Sequence, residues 1–240
     1  MNINFKNSLK ILLFTVFIGQ SVGYAQNKTI LQLADEYSIA LKKYQQQKSP
    51  ASVESVLHKG KSVNNKIEDI ESLSAADYAL LEKKMKGFVI NREEVLFIEP
   101  DLKFYAQLLK THGTKADIAL IKLMREIRDG NVWAKYIEMQ TDVTGCTIYG
   151  NGVLTTLYGK TLQFKKIYPK AYVSDVNEET DKILEEFLEG TCACGSRNSV
   201  LKEFQLFIKT FPNDKNTPRI KKRLSNLIKN KEFRFNCQSG

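Results

Sequence analysis

The sequence predicts an all-α protein of about eight helices, packed largely as antiparallel helical hairpins, with a second half stapled by disulfides. Three observations carry this expectation. Apolar residues recur at steps of three and four along most of the chain, the spacing of one helix face. Capping residues and Gly or Pro stops alternate at the intervals of globular helices. The four cysteines, Cys146, Cys192, Cys194 and Cys237, all lie in the second half.

The first 25 residues read as a cleavable signal peptide. Lys6 and Lys10 supply a positive start, and no acidic residue precedes Asp35. An apolar run over residues 11–18 follows, and Gly23 and Ala25 place small residues at the cleavage positions. The run is too short for the ~20 residues that a membrane-spanning helix needs. Residues 26–240 then form a single α-helical domain, with sub-blocks 26–130 and 131–240. An exported protein is expected, periplasmic or secreted, with no transmembrane span.

The first helix of that domain covers residues 29–47, where Ile30, Leu33, Tyr37, Leu41 and Tyr44 form one stripe. Residues 48–72 carry Pro50, Gly60 and a polar run, and read as a loop flanking short helical pieces. Ser74 and Asp77 open a helix that Gly87 closes. Residues 88–90 and 95–98 lean towards β, and two readings stay open: short extended segments, or a helical turn over 92–97. Pro100 starts a helix through Phe104 and Leu108 to a stop at Gly113, and Thr114 and Asp117 cap the next, which ends at Gly130. A turn of about two residues makes these two an antiparallel hairpin. Residues 131–150 are less regular. Helices then run from Val153 to Tyr168, over 176–189, through Leu201, Phe204, Phe207 and Phe211, and from Thr217 to Ile228.

An exported chain with four cysteines favours two disulfides. A Cys192–Cys194 bond would close a strained ring and ranks last. The remaining pairings tie Cys146 and Cys237 to Cys192 and Cys194 in either order, each loop being worth roughly 4 kcal/mol. A four-thiolate metal site or a redox-active Cys192/Cys194 pair are the rivals.

The charge is unevenly divided. Residues 26–208 hold 25 basic and 25 acidic side chains, whereas residues 209–240 hold nine basic and two acidic. The excess includes Arg219, Lys221, Lys222 and Arg223, a patch suited to an acidic partner. Export makes that partner another protein or an anionic envelope component, not nucleic acid. A second binding feature is the stretch 131–152, which combines the sole tryptophan, Trp133, with Tyr136 and several glycines.

Residues 201–228 (LKEFQLFIKTFPNDKNTPRIKKRLSNLI) resemble the helix–turn–helix junction of tetratricopeptide-type repeats. Phe207, Phe211, Pro212 and Asn213 match the aromatic helix end and the turn after it. No 34-residue period runs upstream, so the resemblance implies hairpin packing and a protein-binding role, not a repeat array.

Catalytic inventory is thin. The two histidines, His58 and His112, are far apart, which argues against a His-rich zinc enzyme, and His112 sits where a helix end favours a cation. Nucleophile-elbow, zincin, P-loop and dinucleotide signatures are missing. Carboxylates at Glu93, Glu94, Glu99, Asp101 and Asp142 leave a paired-carboxylate envelope hydrolase as the alternative. The leading expectation is an exported helical binding protein, an adaptor or immunity-type protein, with no cofactor, no metal and no catalytic residue. A thiol-based metal or redox protein is the third reading.

Overall fold

A computed structural model describes residues 28–92, 96–128, 133–140, 144–190 and 192–229. The expected signal peptide, Glu93, Glu94, Asp142 and Cys237 lie outside the described residues. Nine α-helices, a 3-10 stretch and five short strands follow one another among those that are described. The helical expectation holds in its main lines. Two small sheets correct the purely helical reading.

Thr29 and Gln32 form a capping box at the start of α1 (Ile30–Gln45), which buries Ile30, Ala34, Tyr37, Leu41 and Tyr44. The short helical pieces expected over residues 48–72 are α2 (Glu54–Lys61) and a 3-10 stretch (Ser62–Ile70). Gly60 does not break α2. A Cβ there would stand 2.2 Å from the Phe88 ring, so glycine is the residue that lets that ring pack on the helix.

After α3 (Ala75–Lys84), Gly87 adopts φ +94° and turns the chain into β1 (Phe88–Asn91). This strand pairs antiparallel with β2 (Phe97–Pro100), with Phe88 opposite Pro100 and Ile90 opposite Ile98. At the described residues, 88–91 and 97–100, the extended reading is the one realised. Pro100 therefore ends a strand, and Asp101 is the cap of α4 (Leu102–His112), accepting the N–H groups of Lys103 and Phe104. Two residues later α5 (Lys115–Ile127) begins from the Thr114–Asp117 capping box. The irregular region holds β3 (Ile137–Met139) and β4 (Gly145–Ile148), antiparallel to each other, and β5 (Ala193–Cys194) joins β4 in parallel. Strands of two to four residues leave too few alternations to be read from sequence.

The second half continues with α6 (Val153–Ile167), α7 (Val173–Leu188), α8 (Arg197–Thr210) and α9 (Thr217–Ile228). α6 packs on α7, and α8 on α9, as α4 packs on α5. One cluster of buried side chains runs from Ile30 to Leu227 through both sub-blocks. Its second half is rich in aromatic rings, with Phe187, Phe204 and Phe207 fully buried and Phe187 packed against both of the others.

Two buried carboxylates position these helices. Glu203 of α8 is 0% exposed. Its Oε2 accepts the N–H groups of Gly150 at 2.9 Å and Gly152 at 2.8 Å. Its Oε1 accepts the N–H of Thr155 at 3.1 Å and the Thr155 hydroxyl at 2.8 Å. α6 starts at a glycine with φ +79° and no side-chain cap of its own, so a carboxylate from a helix about 50 residues downstream supplies the cap. The positive end of α6 favours that negative charge. Asp117, also fully buried, accepts the Thr114 N–H at 2.7 Å and the Tyr172 hydroxyl, and so ties α5 to the start of α7.

Replacing Glu203 by alanine removes one charge and strands four donors. Glu203→Ala is expected to lower the unfolding free energy by about 3 kcal/mol or more, with Glu203→Gln costing less because one acceptor oxygen remains. Urea titrations followed by circular dichroism check both; a loss below about 1 kcal/mol for Glu203→Ala would refute the capping role.

Candidate functional site

The cysteine region is a structural clasp. Cys146 in β4 and Cys194 in β5 form a disulfide with their Cα atoms 5.1 Å apart, across 48 residues of sequence. This is one of the two pairings that sequence left open. Cys192 is also disulfide-bonded, and no cysteine is free among the described residues. Glu138 lies close to Cys146 and Cys194, but sulfur atoms joined to each other are not thiolates and offer a metal little. Next to the bridge, the Thr147 hydroxyl donates to Glu186 at 2.6 Å, and burial raises the Glu186 pKa.

Trp133 and Tyr136 do not share a surface. Trp133 is 42% exposed, whereas Tyr136 is buried, and that burial, followed by the charges of Glu179 and Glu186, raises its phenol pKa. The basic segment divides in a similar way. Arg219, Lys221 and Lys222 are exposed on α9. Arg223 is 8% exposed and donates to the Gly190 carbonyl. It sits between Ile220 and Leu227 at steps of three and four, on the buried stripe of the helix. Arg223 is thus mostly covered, unlike Arg219, Lys221 and Lys222. Arg219 reaches Glu189 at 3.4 Å, and together with Leu188, Lys222, Arg223 and Asn226 it lines a shallow groove.

Of the carboxylates expected near an apolar run, Asp101 caps α4, and Glu99 accepts from Arg128 Nη1 at 2.6 Å. Arg128 Nη2 donates to Glu179 at 2.9 Å. Burial opposes the Arg128 charge, but the two carboxylates outweigh it and hold its pKa above the usual value.

A second cluster adjoins this one across a small pocket walled by Leu57, Leu120, Ile121 and Met124. Here Asp175, in the first turn of α7, accepts from two groups of α2. His58 Nε2 lies 2.8 Å from Asp175 Oδ2, and Lys61 Nζ donates to Oδ1 at 2.5 Å. Burial alone would raise the Asp175 pKa; the hydrogen bonds from Lys61 and His58 outweigh it and lower it. Glu54, one turn before His58, accepts the Tyr172 N–H at 3.0 Å. Tyr172 is, among the described residues, the non-glycine residue with positive φ, at 53°, held by this bond and by its hydroxyl on Asp117. Glu54, His58 and Asp175 each offer a ligand atom within 4.8 Å of the others.

Sequence reasoning left His58 in an undefined segment and passed over Glu54, Lys61, Arg128, Asp175 and Glu179. One signal was available for Glu179, as for Glu203 and Arg223. Each is a charged residue on the apolar stripe of an amphipathic helix, where it must find a buried partner. The pairing of His58 with Asp175 spans 117 residues and carries no local signal.

The chain matches no family model, no curated protein and no solved structure. Among the described residues, no helix is long and apolar enough to cross a membrane.

Because the folded-state pKa of Asp175 is depressed, its contribution to stability is present above the ordinary aspartate value of about 4 and is lost as pH falls through the lowered value. Asp175→Asn should therefore lower the urea midpoint at pH 7, with the difference from wild type shrinking as pH falls below about 4. A difference that stays constant down to about pH 2 would contradict the ionic role.

Proposed function

We propose that this protein is an exported helical binding protein, of adaptor or immunity type, that engages an acidic macromolecular partner through the basic face of α9. The observation that carries the reading is the exposure of Arg219, Lys221 and Lys222 on a helix with no acidic residue. A single exposed cation is worth little, but several on one face attract a complementary surface and speed encounter. The Arg219–Glu189 contact, exposed on both sides, is weak competition for a partner. The groove bounded by Leu188 and Lys222 adds apolar area beside the charge.

Export is supported by the signal-like N-terminus and by the Cys146–Cys194 bond, since disulfides persist in oxidising compartments. The likeness of residues 201–228 to a tetratricopeptide-type junction favours a protein over a polymer as the partner. The paired-carboxylate alternative draws no support from Glu99 and Asp101, which are engaged by Arg128 and by the α4 backbone.

Affinity capture with residues 26–240 against the cell-envelope extract, at low and moderate salt, tests the reading. One stoichiometric, salt-sensitive protein is the expected outcome. The double variant Lys221→Glu, Lys222→Glu leaves the buried Arg223 in place and should weaken that complex by about tenfold or more. Unchanged affinity would remove α9 from the interface, and an empty capture at both salt levels would overturn the binding role.

A further inference from the structure

We infer that Glu54, His58 and Asp175 form a binding site for a divalent first-row transition-metal ion, for which Zn2+ is the natural probe. Glu54 and His58 stand four residues apart on α2 and so share one helix face, and Asp175 at the start of α7 faces them. Their ligand atoms lie within 4.8 Å of one another. The 2.8 Å between His58 Nε2 and Asp175 Oδ2 is close to the ~3.3 Å that separates two ligands at about 2.0 Å from a tetrahedral ion, so a small outward shift admits the metal.

Each carboxylate is also held from outside the ligand set. Lys61 fixes Oδ1 of Asp175, and the Tyr172 N–H fixes Oε1 of Glu54. Outer partners of this kind orient carboxylate ligands and keep them in place before the metal arrives. Three carboxylates, Glu36, Glu54 and Asp175, and three ammonium groups, Lys28, Lys59 and Lys61, surround the site, and Lys28 and Lys59 are drawn to Glu36 rather than to the two ligand carboxylates.

The donor set selects the class of ion. An imidazole nitrogen with two carboxylates matches zinc and its neighbours, whereas calcium and magnesium ask for oxygen alone. Access is open. His58 is half-exposed and lines, with Ser55 and Ser62, a groove that also touches Glu36 of α1, so water can complete the coordination. The ion would clamp α2 to α7 across the same gap that the His58–Asp175 bond now spans.

The experiment uses residues 26–240, freed of metal with a chelator and titrated with ZnCl2 by calorimetry. One ion per chain is expected, together with a Tm higher by about 5 °C in excess Zn2+ that chelation reverses. Co2+ should report the same site through its visible absorption. His58→Ala and Glu54→Gln should each weaken Zn2+ binding at least about tenfold. His112→Ala should leave it unchanged. Glu54→Gln keeps the side-chain shape and an oxygen for Tyr172, so its result stands if the histidine variant folds poorly. No saturable binding at sub-millimolar Zn2+, or equal affinity in wild type and Glu54→Gln, would overturn the site.

Discussion

The second half of this protein depends on a carboxylate buried where a helix begins. Glu203 is taken out of water completely, which is costly for a charge unless it is fully satisfied. Four donors satisfy it, three of them backbone N–H groups at the start of α6. The constraint runs both ways. Without Glu203 the first turn of α6 keeps only the Asn151 side chain on the Val153 N–H, and without the turn at Gly150 and Gly152 the carboxylate has no cradle. Gly150 adopts φ +87° against the backbone of Ser199, a place where a side chain would be strained and crowded. Around this fixed point Phe187, Phe204 and Phe207 close the core.

Asp117 plays the same part for the first half and the joint between halves. It closes a capping box in α5 and accepts the buried Tyr172 hydroxyl, while the Tyr172 N–H reaches Glu54. That pair of bonds holds Tyr172 in a left-handed conformation that a tyrosine rarely adopts, and it aims α7 so that Asp175 meets His58 and Lys61. The charged cluster between the halves is therefore a product of two caps and one strained residue. The α9 face, by contrast, is simple. Its cations are exposed because the opposite stripe, Ile220, Arg223 and Leu227, is buried.

Much of the helical skeleton was legible in the residues. The stripes of α1, α5, α7 and α8 and the caps at Ser74 and Thr114 are local signals, and α-helices are local structures. α2 was obscured because Gly60 reads as a breaker until the Phe88 ring is seen against it. The short strands β3, β4 and β5 pair over distances that no window of sequence spans. Of the candidate site residues, exposure on α9 follows from helical phase, and the same phase places Arg223 on the buried stripe.

By itself, the sequence determined the helical class, the order of most helices, the caps at Ser74 and Thr114, the crowding of cysteines in the second half and the basic C-terminal segment. These follow from periodicity and composition, which act within a few residues. Only the tertiary structure decided which cysteine bonds Cys146, that Glu203 caps α6, and that Glu54 and His58 face Asp175. Each joins residues 48 to 121 positions apart; the disulfide is selected by the approach of β4 and β5, and the carboxylate contacts by the need of a buried charge for a partner. That selection operates only once the helices have packed.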